Sequence, residues 1–117
     1  LERINKKMKQ QGILIVTENN QRARKFYEEL FGLKVIKDND GNMVLEGNIY
    51  LQERKYWEKF LNKKIILKNN ASELYFIEDN IEQFISKLEK LYPNIEYVNK
   101  FMVHEWGQKV VRLIRVI

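Results

Sequence analysis

Residues 13–36 read ILIVTENNQRARKFYEELFGLKVI, and their pattern decides the fold. Ile13, Leu14, Ile15 and Val16 form a short apolar run suited to a strand covered on both faces. Asn19 or Asn20 then caps a helix, because a short amide side chain accepts the first unpaired backbone N–H groups. Within that helix Ala23, Phe26, Tyr27, Leu30 and Phe31 recur at i, i+3, i+4, i+7 and i+8, which makes one buried stripe. Gly32 supplies the left-handed stop, and Leu33 to Lys37 returns as a strand. The charges work against this helix. Arg22, Arg24 and Lys25 sit near the positive end of its dipole and Glu28 and Glu29 near the negative end, each misplacement costing roughly a few tenths of a kcal/mol. Burial of the stripe has to hold it.

Outward from this stretch, Asp38 to Asn42 is a turn cluster, which predicts a hairpin returning through Met43 to Glu46. Gly47 and Asn48 punctuate again before a strand from Ile49 to Glu53. The first half is therefore βαβββ. Lys55 to Leu61 places Tyr56, Trp57, Phe60 and Leu61 on one side of a short helix, with Tyr56 and Trp57 read as a core or dimer contact. Residues 63–68 are either a short strand or an extended connection. A second unit begins at Ser72, where Glu73 to Ile77 alternates like a strand and Asp79 with Glu82 resembles a capping box. Ile81, Phe84, Ile85, Leu88, Leu91 and Tyr92 form the next stripe, Pro93 stops the helix, and strands follow at Ile95 to Phe101 and Gln108 to Ile117. A shift of 61 residues lays Glu18-Asn19 on Asp79-Asn80, and Ala23, Tyr27, Leu30 and Phe31 on Phe84, Leu88, Leu91 and Tyr92. The expected organisation is a polar leader, residues 1–11, and one domain, 12–117. Its two modules span about 12–54 and 72–117, joined by 55–71.

Composition narrows the function classes. The 117 residues are 44% hydrophobic and 32% charged, enough for one domain with a real core. Cysteine is absent, so neither disulfides nor thiolate chemistry contributes. No run approaches the roughly 18 apolar residues of a membrane span, and a cytoplasmic protein is the simplest expectation. Of the net charge of +5, residues 1–9 carry +3 (Arg3, Lys6, Lys7 and Lys9 against Glu2), which leaves +2 for the remainder. The body's lysines mostly alternate with acids, so no clustered basic stripe invites nucleic acid. No P-loop or GxGxxG is present, and HExxH is impossible with a single histidine.

The order βαβββ-βαββ, with KFYEELFGLKV, IYLQERKYWEKF and EWGQKVVR at their places, resembles the vicinal oxygen chelate superfamily. That group includes glyoxalase I, fosfomycin- and bleomycin-resistance proteins and extradiol dioxygenases. The resemblance covers about residues 12–114 and is closest to small bacterial glyoxalase-like proteins. It implies an α/β (α+β) fold, with paired βαβββ modules forming a curved mixed sheet around a cavity. The second module lacks its last strand in this reading, and the exposed edge predicts a homodimer. Metal-dependent members hold one divalent ion between carboxylates and imidazoles. The matching positions here are Gly12, which has no side chain to ligate, Glu53 (or Gln52 if the register slips) and Glu73, with no fourth ligand. No cofactor is therefore expected. A divalent metal on Glu53 and Glu73 stands as the alternative, a hard cation such as Mg²⁺ suiting carboxylates better than Zn²⁺.

Other residues complete the candidate site. If Leu74 and Phe76 pack beneath the second helix, Glu73, Tyr75 and Ile77 face the other way, giving a carboxylate and a phenol to a pocket or to solvent. His104, the single histidine, precedes Glu105, Trp106 and Gly107 on a loop. It is an acid–base candidate or simply surface. Trp106 reads as a packing anchor or pocket wall. Arg112, flanked by Val110, Val111, Leu113 and Ile114, either binds a substrate anion through its two-pronged guanidinium or points outward. The candidate catalytic pair is thus Glu73 and His104, and the substrate-binding set Glu53, Glu73, Tyr75, Trp106 and Arg112. Two functions follow. One is a glyoxalase/bleomycin-resistance-like protein that binds a small organic molecule without an intact metal site, with no nucleic-acid or membrane partner. The alternative is a metal-dependent lyase, isomerase or dioxygenase resembling glyoxalase I, the ion stabilising an enediolate.

Overall fold

The computed structural model describes residues 7–39, 41–66 and 72–113. Its elements run β1 (Ile13–Thr17), α1 (Asn20–Phe31), β2 (Val35–Asp38), β3 (Asn42–Leu45), β4 (Ile49–Glu53), α2 (Arg54–Leu61), α3 (Ile81–Leu91), β5 (Tyr97–Val103) and β6 (Lys109–Leu113). The first four strands make one mixed sheet in the order β1-β4-β3-β2, while among the described residues β5 and β6 pair only with each other. β1 runs parallel to β4, and the pairs β4–β3 and β3–β2 are antiparallel. The fold is mixed α+β, as the repeat pattern requires.

α1 forms where its stripe predicts. Asn19 Oδ1 accepts the Arg22 amide at 3.0 Å, and Gly32 closes the helix at φ 68°, where a side chain would be strained. Ala23, Phe26, Tyr27 and Leu30 are buried against Met43, Leu45, Ile49 and Leu51 of the sheet. Each large side chain so buried contributes about 1.5–3 kcal/mol, which outweighs the charges set against the dipole. Ion pairs one turn apart, Arg24–Glu28 at 2.7 Å and Lys25–Glu29 at 3.8 Å, recover part of that cost.

α2 starts directly after β4 and folds back over the β2–β3 turn. Its Tyr56 ring lies so close to Gly41 (φ 86°) that a Cβ there would overlap it. Glu58 accepts the Ile65 amide at 3.1 Å and Arg54 Nε at 3.2 Å. The Ile65 N–H, then Arg54, hold its carboxyl below the usual range against the opposing effect of burial. Residues 63–66 form no strand, and the rest of the expected 63–68 segment lies outside the described residues.

The second unit departs from expectation at its first strand. Glu73 to Ile77 forms no strand among the described residues, where β5 and β6 hydrogen-bond only to one another. Alternation survives without the ladder. Leu74 packs on the core, Phe76 stacks on Phe31 with ring centroids 4.3 Å apart, and Tyr75 and Ile77 are exposed. The capping box also fails to form. Asn80 is the cap of α3, accepting the Gln83 amide at 3.1 Å, because Glu82 instead meets Lys109 Nζ at 2.7 Å. Asn19 and Asn80, capping through the same atom in the same way, are 61 residues apart, the shift at which the halves align. Residues 114–117 of the expected last strand lie outside the described residues.

Candidate functional site

The β5–β6 hairpin has two faces, and its register sorts them. Leu113 and Tyr97 are paired and packed on the core, while Lys109 reaches Glu82 on α3; these mark the helix-facing side. Tyr97 also donates its hydroxyl to Glu89 at 3.2 Å, and burial, then that carboxylate, raises the phenol above its ordinary range. Val110 and Arg112, paired with Met102 and Asn99, point away from the helix. Arg112 Nε donates to Glu73 Oε1 at 3.0 Å and Arg112 Nη1 donates to Asn99 Oδ1 at 3.3 Å. Two residues singled out from the sequence are thus brought together from positions 39 apart in the chain, on a sheet face with apolar neighbours. Asn99 was missed, although an amide inside the run YVNKFMV is a recognisable irregularity.

The first sheet separates two neighbours in the same manner. Ile49, Leu51 and Glu53 face α1, whereas Tyr50 and Gln52 face away. Glu53 Oε2 accepts the Asn20 amide at 3.2 Å, the first N–H of α1, so this carboxylate serves the helix end and not the open face. Beside it Thr17 Oγ1 donates to Asn20 Oδ1 at 2.5 Å and Asn20 Nδ2 donates to the Leu51 carbonyl at 3.3 Å, a buried lock between strand ends and helix. Glu18, Glu53, Arg54, Lys55 and Glu58 line an open depression of about 410 Å³ at these strand ends. Its charges are mutually engaged, Arg54 bonding Glu18 at 2.7 Å and Glu58 at 3.2 Å. Those two carboxylates raise the Arg54 pKa above its ordinary value.

Gly12 sits where a side chain has no room. A Cβ there would overlap the Asn48 carbonyl oxygen and stand 2.6 Å from Tyr50 Cε2. The Tyr50 hydroxyl in turn accepts Gln11 Nε2 at 3.1 Å. Tyr50, unremarked in the sequence, occupies the space next to this position.

His104 and Trp106 lie on the β5–β6 turn, their rings stacked at 4.4 Å and 11°. Trp106 Nε1 donates to Gln108 Oε1 at 3.0 Å, and the indole is otherwise 73% exposed. The turn follows the Val103–Lys109 pair, three residues along the strand from Arg112 or about 10 Å. His104 and Trp106 are therefore apart from the Glu73–Arg112 pair, and Tyr75 points to solvent at 84% exposure.

The chain matches the glyoxalase-like domain over residues 10–115. It belongs to that family. Solved structures agree on the fold. A protein of unknown function from Agrobacterium tumefaciens str. C58 superposes with TM-score 0.75 at 19% identity, covering 94% of this chain and 87% of that one. A glyoxalase/bleomycin resistance protein/dioxygenase from Nocardioides gives 0.63 at 11%, covering 96% and 80%. A bleomycin resistance determinant encoded on the transposon Tn5 gives 0.51 at 16%, covering 91% and 88%. At such identities the likeness is one of fold. No curated protein matches. The glyoxalase-like family places this chain in the vicinal oxygen chelate superfamily, some of whose members hold a divalent ion. The residues here do not fit that ion. Glu53 is turned to α1, Glu73 is engaged by Arg112, Gly12 offers no donor, and among the described residues no three His, Asp or Glu side chains converge. No helix of the described residues is long and apolar enough to cross a membrane.

Proposed function

We propose that this glyoxalase-like protein binds a small organic molecule on the open face of its second sheet, around Arg112, Asn99 and Glu73, without a resident metal. The observation that carries the reading is the oriented guanidinium among exposed Val98, Met102 and Val110-side surface. A binding site needs an apolar floor with a few placed polar groups, and this face supplies both. A thermal-shift ligand screen with a parallel divalent-ion titration tests it. Organic ligands should raise the melting temperature in the wild type and not in Arg112→Leu, with no ion bound in stoichiometric amount. One tightly held ion per chain, lost in Glu73→Gln, would instead favour the lyase, isomerase or dioxygenase reading.

We further propose that a second copy of the chain covers part of the exposed apolar surface. Outside the β5–β6 hairpin, Ile36, Phe60, Tyr75 and Ile77 are large apolar side chains left exposed. Light scattering across a dilution series should give twice the chain mass, and a monodisperse monomer would overturn the proposal.

A further inference from the structure

The proposed ligand site has a preferred charge, and resting on that reading we infer that its ligand is an organic carboxylate which displaces Glu73 from Arg112. Arg112 already carries a carboxylate, so the geometry displays the group it accepts. That contact is incomplete. A free carboxylate meets guanidinium through two parallel hydrogen bonds, whereas Glu73 engages Nε at 3.0 Å and Asn99 takes Nη1 at 3.3 Å. Among the described residues nothing bonds Nη2, which forms the second prong of the Nε edge. A mobile ligand can satisfy both prongs; Glu73, tethered to the backbone of residues 72–80, meets one.

The resident pair is also easy to displace. Its side chains are 33% and 43% exposed, and a pair of such exposure is worth at most about fivefold in an equilibrium constant. Glu73 belongs to a segment with no strand ladder, so its release breaks no backbone pairing within the described residues. Asn99 meanwhile keeps the guanidinium plane in place when Glu73 leaves. The ligand's remainder is apolar. Val110, paired with Met102, lies two residues from Arg112 on the same face, about 7 Å along the strand. A carboxylate separated from an apolar ring by a short alkyl spacer matches that distance.

The test pairs 4-phenylbutyrate with its neutral amide, 4-phenylbutyramide, with affinities from calorimetry and the site read from Met102 and Val110 methyl resonances. The acid should bind more tightly than the amide, by up to the roughly fivefold worth of an exposed ion pair. Glu73→Gln should raise acid affinity by up to about fivefold and leave the amide unchanged. Arg112→Leu should erase the preference, and Arg112→Lys, which keeps the charge and loses the fork, should retain only part of it. Equal binding of acid and amide at these methyls would overturn the carboxylate inference while leaving the small-molecule reading intact. A Glu73→Gln protein that binds the acid more weakly would also overturn it, because Glu73 would then be a partner of the ligand. Failure of both compounds to move either methyl at millimolar concentration would sink the inference and the site reading together.

Discussion

The two modules share a cap and a stripe on helices of 12 and 11 residues, yet one is closed and the other open. Of the nine buried hydrophobic residues among those described, eight belong to the first module and only Leu88 to the second. The stripes themselves are not the cause. α1 lies on a sheet of four strands whose inner residues Met43, Leu45, Ile49 and Leu51 are all buried. Among the described residues α3 has a two-stranded partner, and most of its stripe is half-exposed. A periodic stripe specifies a helix, but the width of the sheet beneath decides how much of it leaves water. The second module is held largely through the aromatic residues of α1. Phe26 meets Tyr92 edge-on at 5.3 Å, and Phe31 contacts Phe76 at 4.3 Å and Phe84 at 5.5 Å.

Substitutions test this asymmetry. The largest effect should come from Phe26→Ala, which opens a cavity in the closed module and should cost about 3–5 kcal/mol by urea unfolding. Val103→Ala, at a side chain 56% exposed on β5, should cost less than about 0.5 kcal/mol. A comparable loss from both would mean that β5 is covered in solution and the contrast between modules vanishes. Phe31→Ala should remove about 1–3 kcal/mol. Amide exchange should then speed up across residues 72–113 while β1–β4 stay protected; uniform acceleration would show that the modules unfold as one.

Asn19→Ala and Asn80→Ala remove equivalent caps, each worth about 1 kcal/mol. If the second module opens on its own before the first, only Asn19→Ala should lower the main transition, with Asn80→Ala appearing in local exchange at α3. The smallest effects are electrostatic. Glu82 is held below the ordinary carboxylate range, chiefly by its hydrogen bond from Lys109, and Glu58 by the Ile65 amide. A depressed carboxylate contributes stability in full above its unfolded pKa and loses it as pH falls through the lowered folded value. Carbon-detected titration should therefore find both midpoints below the ordinary glutamate value, with Lys109→Met returning Glu82 towards it and leaving Glu58 unmoved.

Much of the scaffold was legible because its signals are local. Caps, a glycine stop, two stripes and the turn at Asp38 to Asn42 are written within a few residues of where they act. The fold followed from the family resemblance, whereas the parallel pairing of β1 with β4 emerges only in the structure. What was not legible depends on which neighbour is present. Alternation placed Leu74 and Phe76 inward, but no local feature says that Glu73 to Ile77 forms no ladder with the other described residues. Glu82 suited a capping box until Lys109, 27 residues on, claimed it. The site shows the same limit. Arg112 and Glu73 stood out by residue type, but their meeting is a fact of tertiary packing. Glu53 and Gln52 are adjacent in sequence and opposite in facing, so a one-residue ambiguity in register exchanged a helix-end carboxylate for an open-face amide.

The crowding at Gly12 sets an order on how this chain can change. Placing a ligating histidine there, as a first step towards a metal-bearing variant, collides with both the Asn48 carbonyl and the Tyr50 ring. Trimming Tyr50 relieves one collision, and the other requires the turn at Asn48, whose carbonyl accepts the Ile13 amide at 3.1 Å, to give way. The single replacement is therefore harmful by itself and tolerable only after two permissive ones, a non-additive path that leaves the present glycine fenced in by its neighbours.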